Sequence, residues 1–166
     1  MSARISDDGL YRYRLRRDLS PTRANCVSEP LTCTFIMLNP STADEHKDDP
    51  TIRRCIGFAS SLRCTGLQVV NLYGYRTTDP AELHRVHDPE GPENTIHLLA
   101  ALKSRGPTIA AWGALAPPDR VARMLAMPGA DNLYCLATNQ DGSPRHPLYL
   151  RADAQIRAWP TASSHG

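Results

Sequence analysis

Four apolar runs, residues 31–38, 67–73, 108–112 and 133–137, punctuate the chain, and the first three are each followed by a polar turn and a segment with helical spacing. Strand, turn and helix repeated in that order predict parallel neighbours, because a parallel pair needs a crossover connection rather than a hairpin. The expectation is an α/β protein of three layers, α/β/α, with a central four-stranded parallel sheet. In such a sheet the carboxyl ends of the strands share one edge, where loops carry chemistry and strands hold it still.

Local signals support the alternation. Asp49-Pro50-Thr51 starts a helix with apolar positions Ile52, Cys55, Ile56, Ala59 and Leu62. A helical segment is expected from Ala81, a helix near 95–103, and another opened by Pro117-Pro118 and carrying Val121, Met124 and Leu125. Residues 139–144, Asn-Gln-Asp-Gly-Ser-Pro, read as a turn, and a last helix is expected through Trp159. Residues 21–30 read as a loop. Tyr11 to Arg16 alternates, which predicts a strand with Tyr11, Tyr13 and Leu15 on one face and three arginines on the other. It is read either as an edge strand protected by charge or as a basic stripe facing phosphates.

The 166 residues suit a single α/β domain, residues 1–160, with 161–166 expected to be a disordered tail. With 41% hydrophobic and 22% charged residues the composition is that of a globular chain, and a net charge of +2 permits a nucleic-acid partner without demanding one. Five cysteines, an odd number with no Cys-x-x-Cys pair, are read as reduced thiols in a cytoplasmic protein. No metal and no cofactor are expected, because ligand spacings are wrong and the acidic stretch Asp44 to Asp49 reads as a solvated loop and helix start. No apolar run is long enough to span a membrane, and a monomer is expected.

The polar groups delivered to the shared edge are Asn39, Asn71, Trp112-Gly113 and the loop with His146. There is no candidate nucleophile, no glycine-rich phosphate loop and no carboxylate pair, which argues against hydride and phosphoryl transfer. Each residue also has a plain structural use: Asn39 as a turn opener before Pro40, Asn71 as a satisfied strand end, His146 as a solvated loop residue.

The order Leu38-Asn39-Pro40-Ser41, then Val69-Val70-Asn71 with Arg76 and Asp79-Pro80 downstream, then Ala111-Trp112-Gly113, then His146-Pro147 resembles the uracil-DNA glycosylase superfamily over residues 31–150. More narrowly, the runs from Met37 to Asp44 and from Pro144 to Leu150 look like a bacterial and phage family of unknown function. Met37 and Ser41 stand where that superfamily often has glycine, and Leu148 where it often has serine.

The superfamily resemblance implies a uracil-DNA glycosylase-like fold and hydrolysis of the N-glycosidic bond of a damaged or modified base in DNA, a uracil-type pyrimidine first. Cleavage makes an oxocarbenium-like sugar and an anionic leaving base, so donors to that anion are needed. By resemblance His146 would supply one, Asn39 would orient the attacking water, and Asn71 would read the edge of a flipped base. Tyr73, Tyr75 or Phe35 would stack on the base. Leu148, Tyr149 or Leu150 would fill the vacated space in the duplex, and Arg76, Arg145 and Arg151 would hold phosphates of single- or double-stranded DNA. The alternatives are a noncatalytic nucleic-acid or nucleotide-binding module of the same fold, and a hydrolase of free nucleosides or nucleotides.

Overall fold

The structure, a computed structural model, describes residues 1–19 and 29–160, so the loop expected at 21–30, Cys26 and the tail at 161–166 fall wholly or mainly outside the described residues. The strands are β1 (Ser2–Ile5), β2 (Arg12–Asp18), β3 (Thr32–Met37), β4 (Gly66–Asn71), β5 (Thr108–Ala110), β6 (Leu133–Cys135) and β7 (Arg157–Ala158). The helices are α1 (Pro50–Ser61), α2 (Asn94–Leu102) and α3 (Pro118–Leu125), with single 3-10 turns at Pro80–His84 and Pro147–Tyr149.

All seven strands join one sheet in the order β1-β2-β4-β3-β5-β6-β7. It is a mixed sheet, which corrects the expected four-stranded parallel one. The pairings of β3 with β4, β3 with β5 and β5 with β6 are parallel, while β1 with β2, β2 with β4 and β6 with β7 are antiparallel. The surplus comes from both ends of the chain. Ser2–Ile5 is too short and too polar to announce a strand, yet it covers β2, so β2 is internal rather than an edge.

At the other end, the helix expected through Trp159 does not form. Arg157–Ala158 pairs with β6, the Trp159 amide donates to the Leu133 carbonyl at 2.9 Å, and its indole meets Trp112 edge-on with centroids 5.0 Å apart. Residues 151–158 offer no apolar stripe for a helix to bury, whereas Trp159 has a second ring to pack against.

Alternation along the strands builds two cores. Cys33, Phe35 and Met37 of β3, with Leu67, Val69 and Ile109, pack against Ile52, Cys55, Phe58 and Ala59 of α1. Ile36 and Leu38, with Val70, Ala110 and Leu133, pack against Leu98, Ala101 and Leu102 of α2 and Met124 of α3. Helices therefore cover both faces. The start of α1 follows its sequence signal, since the Asp49 carboxylate accepts from the Ile52 amide at 2.8 Å and Pro50 holds the first turn, where it sacrifices no hydrogen bond.

The arginines of β2 form no continuous surface stripe. Arg12 and Arg17 are each only 2% exposed, and both reach under the loop that follows β3. Arg12 donates to the Ala43 carbonyl at 2.5 Å, while Arg17 pairs with Asp48 at 2.8 Å and donates to the Asp44 carbonyl at 2.5 Å. Burial pulls the Arg12 pKa down to about 10, against the opposing pull of Asp49, with Arg76 and Arg17 lowering it further. Two guanidiniums thus clamp the loop that carries residues 40–48.

Gly106 enters β5 with φ +123, and a Cβ there would lie 2.3 Å from the Thr32 carbonyl oxygen at the junction of β3 and β5. Gly57, inside α1, faces open space. Gly106→Ala is expected to lower unfolding free energy by about 3 kcal/mol, the scale of strain plus overpacking. Gly57→Ala is expected to raise it by about 0.5–1 kcal/mol through helix propensity. Urea denaturation of the two variants checks the contrast.

Candidate functional site

The carboxyl edge of the sheet opens into a cavity of about 480 Å³. Its floor is Met37 and Leu38 at the end of β3 with Trp112 after β5; its polar walls come from Asn39, Ser41, Thr77, Thr78, Asn139, Arg145 and His146. Backbone hydrogen bonds draw these loops together. The Gly113 amide donates to the Pro144 carbonyl and the Arg145 amide to the Ala137 carbonyl, both at 2.9 Å, so the late loop is tied to the ends of β5 and β6. Gly113 turns at φ +78, a conformation that L side chains rarely adopt.

Asn39 has a fixed orientation. Its Nδ2 donates to the Thr77 carbonyl at 2.8 Å and to the Pro40 carbonyl at 3.1 Å. Both partners are acceptors only, so the nitrogen must face them and Oδ1 is the atom left to accept from a ligand or a water.

His146 caps the 3-10 turn, its Nδ1 accepting from the Leu148 amide at 3.3 Å. A ring that accepts at Nδ1 carries its proton on Nε2. Burial lowers the His146 pKa, with Asp49 pulling weakly the other way, so the imidazole is neutral at neutral pH. The residue thus offers a neutral N–H donor on the cavity wall. Tyr149, 73% exposed, stands at the mouth with its ring 5.8 Å from that of His146, and Leu115, 70% exposed, also lines the mouth.

Of the residues singled out in the sequence, Asn39, Trp112, Gly113, His146, Arg145 and Tyr149 line this cavity. The others lie elsewhere, which corrects their expected place. Asn71 is wholly buried in register with Met37, and the chain runs on buried through Gly74 before it reaches the cavity at Thr77. Neither amide atom of Asn71 has a hydrogen-bond partner among the described residues. Phe35 faces α1 by strand alternation, and Leu150 joins the same core. Tyr73 belongs to the opposite core, its ring 5.8 Å from the Arg120 guanidinium. Tyr75, half-buried, lies edge-on to Tyr11 with centroids 6.1 Å apart. Arg76 lines a neighbouring hollow. Leu148 is exposed and lies outside the cavity lining, and Arg151 is exposed and paired with Asp153 at 3.0 Å.

The carboxamide that the cavity takes in place of Asn71 is Asn139, whose Nδ2 donates to Ser143 Oγ at 2.9 Å. Its signal was present in the sequence: it stands two residues beyond the fourth apolar run, as Asn39 stands one beyond the first. Thr77, Thr78 and Ser41 carried no comparable signal. The acidic stretch serves local structure, with Asp44 accepting from the His46 and Lys47 amides. Among the described residues no three His, Cys, Asp or Glu side chains gather as a metal ligand set, and no helix is long and apolar enough to cross a membrane.

Residues 12–148 match the family described as "Protein of unknown function (DUF1643)". No curated protein and no solved structure matches the chain.

The hydrogen bond to Nδ1 makes a spectroscopic prediction. Nitrogen-15 correlation spectra are expected to show His146 as the Nε2–H tautomer with a titration midpoint below 6.5, its ordinary value. Because the folded state resists protonation, stability contributed by this group is expected to fall as pH drops through 6.5 toward the lowered midpoint. An Nδ1–H tautomer, or a midpoint above 6.5, contradicts the geometry.

Proposed function

Because the chain belongs to the DUF1643 family, whose description assigns no activity, its chemistry has to be read from its own cavity, and we propose that it is a glycosylase-like hydrolase. In this reading the fold is uracil-DNA glycosylase-like, the substrate a damaged or modified base in DNA, and the bond cleaved the N-glycosidic bond. The observation that carries it is the meeting of Asn39 and His146 on one cavity, each with its orientation set by backbone groups.

The chemistry follows from the two free atoms. Asn39 Oδ1 accepts a hydrogen bond from a water and so aims the water's oxygen at the sugar C1′. The C1′–N bond breaks, its electron pair leaves with the base, and the His146 Nε2–H stabilises the anion that forms. The water's proton departs to solvent as the C1′–O bond closes, and the base takes up a proton after release. A neutral imidazole is suited to this role, since it donates a hydrogen bond without first surrendering a charge to solvent. Asn139 and Arg145 take the base-reading part first expected of Asn71. Tyr149 and Leu115 stand where a flipped base enters, and Trp112 with Leu38 supplies an apolar wall for its ring.

A second reading has its own observation. Among the described residues no carboxylate lines this cavity, so none of those lining it is placed to act as a carboxylate general base toward water. Binding of a nucleobase without hydrolysis is therefore the competing function.

Oligonucleotides carrying a wide set of modified bases, followed by mass spectrometry of released bases, distinguish the two. Release is expected, with Asn39→Ala and His146→Ala each lowering it by about 10²–10³-fold, the scale for losing one preorganised donor. Binding by the two variants is expected to persist. Base-specific binding with no release by the wild-type chain supports the noncatalytic module instead.

A further inference from the structure

A second hollow of about 520 Å³ adjoins the first, lined by Gly9, Ser41, Thr42, Arg76, Thr77, Thr78 and Glu82. Ser41, Thr77 and Thr78 line both, so the two spaces lie side by side along a shared rim of hydroxyls. Their characters differ. The first has an apolar floor of Met37, Leu38 and Trp112, whereas the second is lined by hydroxyls, a guanidinium and a carboxylate.

The geometry points to a phosphate-binding subsite at Arg76, which makes the ligand of the adjoining cavities a whole nucleotide unit: base in the first, sugar along the shared hydroxyls, phosphate in the second. This inference rests on the base-binding reading of the first cavity. Half-buried Arg76 spends one Nη1–H on the Gly9 carbonyl at 3.3 Å, and its remaining donors have no partner among the described residues. The hydroxyls of Ser41, Thr42 and Thr78 are likewise unengaged among the described residues, and a phosphate oxygen accepts from both kinds of donor.

Among the described residues Glu82 is the one opposing charge in the lining, and its geometry limits its effect. Its Oε2 accepts from Thr77 Oγ1 at 2.5 Å, which draws the carboxylate toward the Thr77 side of the hollow. Thr77 Oγ1 in turn accepts from the Asp79 amide at 3.0 Å, so this hydroxyl is fully used and belongs to the frame, not to the ligand. Charges of both signs lie around Arg76, the Asp44 carboxylate among them. Arg76 lies near enough to Arg12 for each to feel the other, and Arg12 and Arg17 sit beneath the loop that carries Ser41 and Thr42. A guanidinium with three unused hydroxyls suits an anion, and the apolar floor alongside suits a ring.

Calorimetric titration of the full chain with nucleosides, their 5′-monophosphates, and single-stranded oligonucleotides of the same bases tests the assignment. A monophosphate is expected to bind about 10-fold more tightly than its nucleoside, a modest yield for one charge-assisted contact. Arg76→Ala is expected to collapse that ratio to about one, Thr42→Val to lower it, and Glu82→Gln to raise it by removing a like charge while keeping an acceptor for Thr77. Thermal melting of each variant separates loss of the subsite from loss of fold. If free monophosphates show the Arg76-dependent gain, the natural source is a free nucleotide. If only oligonucleotides show it, the source is a strand.

Nucleosides that bind while phosphates add nothing overturn the subsite and leave the base cavity standing. A phosphate gain that survives Arg76→Ala, or one that Glu82→Gln weakens, overturns the assignment of the residues. If no nucleoside, nucleotide or oligonucleotide binds, both the cavity reading and the subsite fall.

Discussion

The hydrogen bond from Asn39 Nδ2 to the Thr77 carbonyl ties the loop after β3 to the loop after β4 across the cavity's edge, and a second, to the Pro40 carbonyl, fixes the amide within its own loop. The Thr77 amide returns a bond to the Pro40 carbonyl at 3.0 Å, so the junction is reciprocal. Beneath it, Arg12 and Arg17 hold the following stretch through the carbonyls of Ala43 and Asp44. Both guanidiniums are buried; Arg17 spends Nε, Nη1 and Nη2 on protein oxygens, while Arg12 Nε has no partner among the described residues. The site is thus carried by a loop in sequence terms but by a braced element in physical terms, which is the condition for holding a reactive group to a fraction of an ångström.

The same bracing explains how far the sequence could be read. The apolar runs and the Asp49-Pro50 helix start are local signals, and the strands and α1 lie where those signals put them, with bounds trimmed by a few residues. Asn39 and His146 were legible because each follows an apolar run or precedes a proline, a position that fixes where the backbone delivers the side chain. Asn71 was misread for a related reason. Its strand ends in β-pairing terms, yet the next three residues continue buried, and no local pattern distinguishes a strand that stops from one that merely stops pairing. Phe35 and Leu150 failed on facing: alternation sends Phe35 to α1, and Leu150 folds back into the core after the 3-10 turn.

What could not be read was long-range. The antiparallel additions at both ends depend on contacts between residues far apart in sequence, Ser2 to Arg16 with β4 beyond them, and Trp159 with Leu133 and Trp112. Short strands of mixed polarity become strands only when a partner edge is already in place. Arg12 and Arg17 show the same limit from the side of charge. An alternating run of arginines reads as a solvent stripe, and only the loop packed over β2 draws in Arg12 of that run, together with Arg17 just beyond it.

The cavity's lack of a carboxylate bears on how its donors work. With no carboxylate in the lining among the described residues, the neutral His146 imidazole and the Asn39 amide are oriented dipoles, and in the proposed reading their effect on a developing anion scales inversely with the local dielectric. Met37, Leu38 and Trp112 keep one side of the space apolar, so the same N–H is stronger there than it would be in water. It follows that the exposed Tyr149 and Leu115 at the mouth matter beyond their contacts. In the proposed reading they cover the bound base and shut out water, and a site built from dipoles rather than charges loses more when it is wetted than when a donor shifts slightly within it.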